Sequence, residues 1–199
     1  FSTDVPGGLR IWDADGNGEL NDNDRVPLGN PYPSFTYGMT NTFRIGDFDV
    51  SFLIQGVQGV TVLNGDVFYN ETVRYNKAYI KDRWVTAEHP GNGKVPYEKL
   101  GTDLMLTDYG LQDASYVCLR NFTVGYTFPK RIARKLHLSA LRLYATGNNL
   151  FYIWSDDYKG INPESRMTSG DYSSPMISGY QRGGFPLTST VTFGIDLTF

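Results

Sequence analysis

The chain has 199 residues, a net charge of −3, 20% charged and 15% aromatic residues, with 22 Gly, 14 Tyr and 12 Phe. Mild acidity argues against nucleic acid as the main partner, and no run of about 18 apolar residues exists to form a transmembrane helix. With two histidines outside any motif, one cysteine (Cys118) and no HExxH, GxSxG or paired-cysteine pattern, the chain is not expected to be an enzyme or to hold an internal disulfide.

Residues 1 to 34 read as irregular, with one motif: Asp13-Ala-Asp15-Gly16-Asn17-Gly18-Glu19-Leu20-Asn21-Asp22-Asn23-Asp24. On a twelve-residue calcium loop, Asp13, Asp15 and Asn17 take the first three alternate positions and Gly18 the sharp turn. Glu19 offers its backbone carbonyl, and Asn21 and Asp24 complete the donor set. Hard oxygens spaced two apart converge because the glycine bends the chain round them, so a structural calcium ion is expected. Asp replaces the usual Glu at the last position, and Arg25-Val26-Pro27 blocks an exiting helix. The alternative is an acidic, Gly-rich surface turn.

After the stiff Gly29-Asn30-Pro31-Tyr32-Pro33 comes Phe35 to Phe43, with Phe35, Tyr37, Met39 and Phe43 on one face and Thr36, Gly38, Thr40 and Thr42 on the other. A short turn through Ile45-Gly46-Asp47 leads to Phe48 to Gln55, whose Phe48, Val50, Phe52 and Ile54 share a face. This predicts a hairpin. Gly56 to Ala114 shows no sustained period and reads as a long loop, with a short helical turn over Lys77 to Trp84. Tyr116 to Phe128 is a long strand whose Phe122, Val124, Tyr126 and Phe128 share one parity. Val117 and Leu119 fall on the other, which predicts a bulge near Arg120. Pro129 to Ser139 is a basic turn with room for one helical turn. Leu141 to Phe151 is the weakest strand by pattern, and Tyr152 to Pro186 reads as a second long loop.

The last stretch, Leu187 to Phe199, places Leu187, Val191, Phe193, Ile195, Leu197 and Phe199 on one parity, interrupted only by Ser189. The other parity is Thr188, Thr190, Thr192, Gly194, Asp196 and Thr198. Such a strand suits a soluble sandwich with its apolar face inward, or a transmembrane barrel with that face on lipid. The mean hydropathy of −0.34 does not exclude the barrel, because only alternate residues meet lipid. Short and long connections alternate along the chain, as in outer-membrane barrels with periplasmic turns and extracellular loops. With a periplasmic C-terminus, parity puts the 44–47 and 129–140 turns inside, and the acidic loop and both long loops outside.

Several stretches together resemble the C-terminal third of the SusC/RagA family of TonB-dependent outer-membrane transporters. They are Asp13-Ala-Asp15-Gly-Asn17-Gly18 with Asn23-Asp24-Arg25, Gly29-Asn30-Pro31 with Phe35-Thr-Tyr37-Gly38, and Phe52-Leu-Ile-Gln55-Gly56-Val-Gln58-Gly59. Also matching are Asp113-Ala-Ser115-Tyr116, Leu119-Arg120-Asn121-Phe-Thr-Val-Gly125-Tyr126, Leu141-Arg142-Leu143-Tyr144, Gly147-Asn148-Asn149-Leu150-Phe151 and the terminal Phe-Gly-Ile-Asp-Leu-Thr-Phe199. The resemblance implies an all-β antiparallel transmembrane barrel segment, about five strands of a barrel of about 22. Residues 1–34 would form an extracellular loop and 35–199 the C-terminal strands and loops.

It further implies a multi-pass protein of the outer membrane, importing oligosaccharides or peptides. A SusD-like lipoprotein lid, the rest of the barrel and plug, and TonB acting through an N-terminal part would be partners. Without a leader, the sequence is expected to be a processed chain or a fragment. Phe193, Ile195, Leu197 and Phe199 would face lipid and carry the insertion signal. Trp84, Tyr109, Trp154, Tyr158, Tyr172 and Tyr180 are candidate substrate or partner contacts. The competing class is a secreted or surface β-sandwich carbohydrate-binding module that stacks sugar on these aromatics and on Tyr97.

Overall fold

A two-residue turn, Gly46-Asp47, joins β1 (Phe35–Ile45) to β2 (Phe48–Gln58). Gly46 has φ +61°, and a glycine at the first central position of a two-residue hairpin turn matches the twist of the strands it joins. A computed structural model describes residues 5–65, 82–97, 107–165, 179–181 and 184–199. The other strands are β3 (Thr61–Asn64), β4 (Leu111–Asp113), β5 (Tyr116–Thr127), β6 (Ala140–Trp154), β7 (Tyr180–Gln181) and β8 (Thr190–Thr198), and one helix, α1 (Lys130–Lys135), lies between β5 and β6.

The described residues fall into two compact units. The first unit spans Phe1–Pro31, Thr61–Gln112 and Ser165–Gly183, with a small sheet in the order β4-β3-β7. The second unit spans Tyr32–Val60, Asp113–Glu164 and Gly184–Phe199, and holds a five-stranded antiparallel sheet in the order β1-β2-β5-β6-β8. In the small sheet β3 and β7 are parallel, pairing Leu63 with Tyr180 and Asn64 with Gln181. The Asn64 side chain donates to Gln112 Oε1 at 3.0 Å, so its buried amide is satisfied.

In the five-stranded sheet the register sorts the side chains cleanly. Phe35, Tyr37, Met39, Phe43 and Ile45 lie across from Gln58, Gly56, Ile54, Val50 and Phe48, and the row continues through Phe122, Val124 and Tyr126 to Leu141, Leu143 and Ala145. It ends on Val191, Phe193, Ile195 and Leu197 of β8. The opposite face carries Thr40, Thr42, Arg44, Asp49, Ser51, Asn121, Thr123, Arg142, Tyr144, Thr146, Asn148, Thr192 and Asp196. The apolar face is uncovered, with Phe193 80% and Ile195 63% accessible, and on the edge strands polar-face residues such as Thr42, Arg44, Thr192 and Asp196 are exposed as well. In a soluble domain such an apolar face is packed against a core.

The predicted bulge is present. β5 slips against β2 between Leu53 and Ile54, which pair with Asn121 and Leu119 and leave Arg120 as the extra residue. That one residue reverses the parity of the strand, so Val117 and Leu119 rejoin the face of Phe122 and Val124. The hairpin, the one-turn helix and the terminal strand also lie where the pattern put them, although β8 begins at Thr190 and not at Leu187.

Two readings change. Leu141 to Phe151, the weakest strand by pattern, is the core of β6, at 15 residues the longest strand. Its alternation is blurred because Gly147 takes an apolar-face position and Asn149 sits at φ +51°, where its Oδ1 accepts from Arg120 Nη1, leaving Leu150 over Gly147. The stretches read as loops, Gly56–Ala114 and Tyr152–Pro186, contribute the last residues of β2 and β6 and all of β3, β4 and β7. Strands of two to four residues are too short to show a period. Most of the helical turn expected over Lys77 to Trp84 lies outside the described residues.

Four strands are tied across the polar face by one side chain. Arg142 on β6 meets Asp196 on β8 at 3.0 Å and passes over β5 to reach Asp49 on β2, at 3.0 Å from Nε and 2.6 Å from Nη2. The passage is open because Gly125 stands between them: a Cβ there would collide with the guanidinium and with the Asp49 carboxylate. Gly125→Val should therefore displace the guanidinium and lower stability by about 1.5–3 kcal/mol, the scale of a hydrogen bond to a charged group. The denaturation midpoint of the full-length protein reads this, and an unchanged midpoint would show that the crossing contributes nothing.

Candidate functional site

The acidic turn of the first unit is built by its own backbone. Gly18 has φ +82°, a left-handed geometry that closes the turn. Gly16, Asn17 and Gly18 then donate their N–H groups to the Asp13 carboxylate at 2.7, 3.2 and 2.8 Å. Asp24 closes the far end, accepting from the N–H of Ala14 at 2.8 Å and of Asn21 at 2.7 Å. Asn21 in turn caps the single 3-10 turn Asp22–Asp24 through the N–H of Asn23.

Of the six ligands expected from sequence, three are brought together: one oxygen each of Asp13, Asp15 and Asp24 lies within 4.8 Å of the others. The remaining three are engaged within the turn. Asn17 donates its amide to Asp15 and accepts from the N–H of Glu19 at 2.7 Å. The Glu19 carbonyl accepts from the Asn21 amide at 3.3 Å. Asp13 Oδ1 accepts two N–H groups, whereas Asp13 Oδ2 and both oxygens of Asp15 and of Asp24 accept one contact each and keep a further lone pair, so the cluster retains donors that a hard divalent cation takes.

The N–H of Gly18 above all, opposed by desolvation and supported by Gly16, Asp15 and Asn17, holds the Asp13 carboxyl below its ordinary value. In the same unit a cleft of about 730 Å³ is lined by Trp12, Leu20, Val26, Leu28, Leu63 and Tyr180, with Asp24 of the turn at its edge. Trp12 is 67% exposed, although sequence reading did not select it.

The aromatic residues named from sequence do not form one platform. Trp84 packs edge-on against Tyr97 at 6.2 Å, over a position where Gly7 has no side chain. Tyr109 is half-buried in the 3-10 turn Asp108–Gly110. Tyr180 lies in β7 beside the cleft. In the second unit, Trp154 packs edge-on against Tyr158, which is buried. Tyr172 lies outside the described residues. Phe193, Ile195, Leu197 and Phe199 are all exposed, the first three along one edge-strand face.

Two charged centres on the polar face escaped sequence reading. Arg142 with Asp49 and Asp196 is one. The other is Arg120, whose Nε donates to Gln55 Oε1 at 3.0 Å and whose Nη1 donates to Asn149 Oδ1 and the Tyr152 hydroxyl, both at 2.8 Å. Its Nη2 meets Glu164 at 2.5 Å. The signal available in sequence was charge at polar-parity positions of three strands: Asp49, Arg142 and Asp196. Nothing in the pattern pointed to Glu164.

No family model matches the chain. It is 32% identical, over 98% of its length, to TonB-dependent receptor P3 of Formosa agariphila. It is 26% identical over 94% to TonB-dependent receptor SusC of Bacteroides thetaiotaomicron. The chain spans 19% and 17% of those two proteins, about a fifth of the curated relatives it matches. Among solved structures it is similar to the RagAB peptide importer in the closed-closed state, with a TM-score of 0.69 at 21% identity, covering 98% of this chain and 21% of that one. The open-open state gives 0.65 over 84% of this chain. At that identity the likeness speaks to the fold.

The lowered Asp13 value has a definite sign. Its contribution to the order of the turn is fully present above the unfolded carboxylate value of about 3.9 and is lost as pH falls through the lower folded value. With ¹⁵N-glycine labelling, the Gly16 and Gly18 amide shifts should hold from pH 7 to about 5 and move only below about 4. Asp13→Asn should remove that transition. A transition that survives in Asp13→Asn would assign it to another group.

Proposed function

The chain belongs to the SusC/RagA family of TonB-dependent receptors, and we propose that it forms part of the wall of an outer-membrane β-barrel importer. The observation that carries this reading is the uncovered apolar face: one side of the sheet is a continuous apolar row with exposed residues on β1, β2, β6 and β8, while polar side chains on the other side bond to one another. In water such a face is an aggregation liability. Against lipid it is the stable orientation, with the polar face turned to the lumen. The sheet also leaves the outer edges of β1 and β8 unpaired, and closure into a barrel of about 22 strands, by pairing with the rest of the full-length protein, removes both edges. A β-sandwich module would require a second sheet over the apolar face, and the second unit holds a single sheet.

On this reading the periplasmic side holds the Gly46-Asp47 turn and α1, and the outer side holds the long connections. The solute is an oligosaccharide or a peptide, and a SusD-like lipoprotein forms the lid. Energy arrives through TonB acting on parts of the protein beyond this segment. The relative described as a peptide importer supports the peptide branch, and SusC supports the family's general role. Phe193, Ile195, Leu197 and Phe199 contact lipid.

We also propose that Asp13, Asp15 and Asp24 hold a calcium ion that stiffens the entry to β1. The convergence of three carboxylates supports it, and three negative charges so close favour a bound cation over mutual repulsion. Calorimetric titration of the full-length protein should show calcium binding ahead of magnesium, weakened by Asp15→Ala. Heat from neither ion would remove the proposal.

For the barrel itself, Ile195→Arg should cost about 2–4 kcal/mol, and the same change at lumen-facing Thr192 far less. Outer-membrane levels and heat-modifiable gel migration of the two full-length variants give the comparison. Equal losses at both positions would overturn the assignment of the faces.

A further inference from the structure

One segment of the second unit, Ser155 to Glu164, leaves the end of β6 and folds back over the polar face. Its path is fixed at several points. The Ser155 N–H donates to the Ser115 carbonyl at 3.1 Å, and the Tyr158 N–H to the Ser155 carbonyl at 3.0 Å. The Asp157 carboxylate accepts from the N–H of Asp113 at 3.0 Å. Asn162 donates its N–H to the Tyr158 hydroxyl at 3.2 Å and accepts from the Glu164 N–H at 2.9 Å. Two of its own side chains, Tyr158 and Pro163, are buried.

The register settles which face is covered. Trp154 pairs with Tyr116, and Tyr116 with Val57; Tyr152 pairs with Cys118, and Cys118 with Gln55. All six lie on the polar parity, and Tyr158 packs on Trp154 while Glu164 meets Tyr152 at 2.9 Å. Glu164 is held there by Arg120, the bulge residue. Without the extra residue, a side chain at position 120 would stand on the apolar side. The bulge therefore supplies the cation that anchors the segment.

We propose that Ser155–Glu164 is a fixed inward ledge lining the solute path, with Arg120 as its positioning residue and Ile161, 53% exposed, as a solute-contacting side chain. This rests on the barrel reading, in which the polar face is the lumen. A ledge folded onto that face takes up bore at the end of the strands where the long connections lie. It limits how large a solute passes and offers an apolar contact on an otherwise polar wall. The chemical class that fits is an elongated polar solute with intermittent apolar surface.

The experiment uses the full-length transporter with a nitroxide at position 161, in a background whose other reactive thiols have been removed, and a second label at position 195. Glu164→Ala is the main variant, because Arg120→Ala also strips Gln55, Asn149 and Tyr152 of their donor. The label at 161 should be restricted in the parent and mobile in Glu164→Ala, with position 195 unchanged and heat-modifiable migration retained. Uptake of the longest relative to the shortest members of a solute series should rise about threefold, the scale expected from one partly exposed ion pair.

Glu164→Asp should restore both readouts, and Glu164→Gln should move them in the same direction should the alanine variant assemble poorly. A label at 161 that stays restricted overturns the anchor, and loosening without a change in length preference overturns the place in the solute path. Collision with oxygen and with a water-soluble nickel chelate separates the two levels. Nickel access at position 195 would sink the barrel reading, whereas lipid exposure at 195 with an unresponsive position 161 would sink the ledge alone.

Discussion

The structure depends on one constraint: a strand's side chains alternate with a period of two, so every apolar residue stays on its face only while the register holds. A single slip turns a whole strand inside out. Here the constraint is met across five strands, and where the chain departs from it the departure is compensated in place. The extra residue at Arg120 resets the parity of β5. The left-handed Asn149 adjusts β6 at the adjoining pairs, where Asn121 matches Asn148 and Leu119 matches Phe151. Two irregularities on neighbouring strands thus form one feature. Its product is a guanidinium on the polar face with four side-chain partners.

At one end of the strands the polar face is held by burial of Val57, Tyr116, Cys118 and Tyr158, and along the rest of it by pairing. Arg142 balances Asp49 and Asp196, and Arg120 balances Glu164. Between them run hydroxyl and amide contacts, such as Thr123 with Thr146 at 3.0 Å and Asn121 with Asn148 at 2.9 Å. Individually such exposed contacts are worth little. They act as a network because they bind strands far apart in sequence, Asp49 and Arg142 being 93 positions apart. Glycines are placed where the network or its aromatic neighbours need room. Tyr37 lies over Gly56 and Tyr144 over Gly194, each directly across a strand pair, an arrangement in which the ring covers backbone that a glycine leaves bare.

Much of the large sheet was legible because its strands are long enough for period two to rise above noise. Phe48 to Gln55 and the terminal strand needed nothing more. Val117 and Leu119 on the wrong parity even announced the bulge, since a long strand cannot change face without one. Leu141 to Phe151 was undervalued because Gly147 and Asn149 interrupt the pattern at its centre, while the evidence for a strand was cross-strand: Arg142 against Asp196, Tyr144 against Gly194. The small sheet was invisible, since β3 and β7 meet from over a hundred residues apart and contribute two pairs. In the acidic turn the spacing of Asp13 and Asp15 around Gly18 foretold the convergence. The aromatic contacts did not follow from composition, because Tyr158 and Trp84 are spent on packing against other rings.

Charge pairing also bears on how such a wall can discriminate. A guanidinium whose partners already surround it projects a short-range field, screened further by salt over about 8 Å. Between the charged centres much of the polar face is Thr, Ser and Asn, with Tyr144 and Tyr152 among them, groups that hydrogen-bond without preference for either sign of charge. If this face lines a lumen, as proposed, it would distinguish solutes by shape and by the spacing of their hydrogen-bonding groups, and only weakly by net charge. The features that separate sugars from peptides must then be apolar and local, which places the discriminating contacts on exposed side chains set against the polar wall, not on the wall itself.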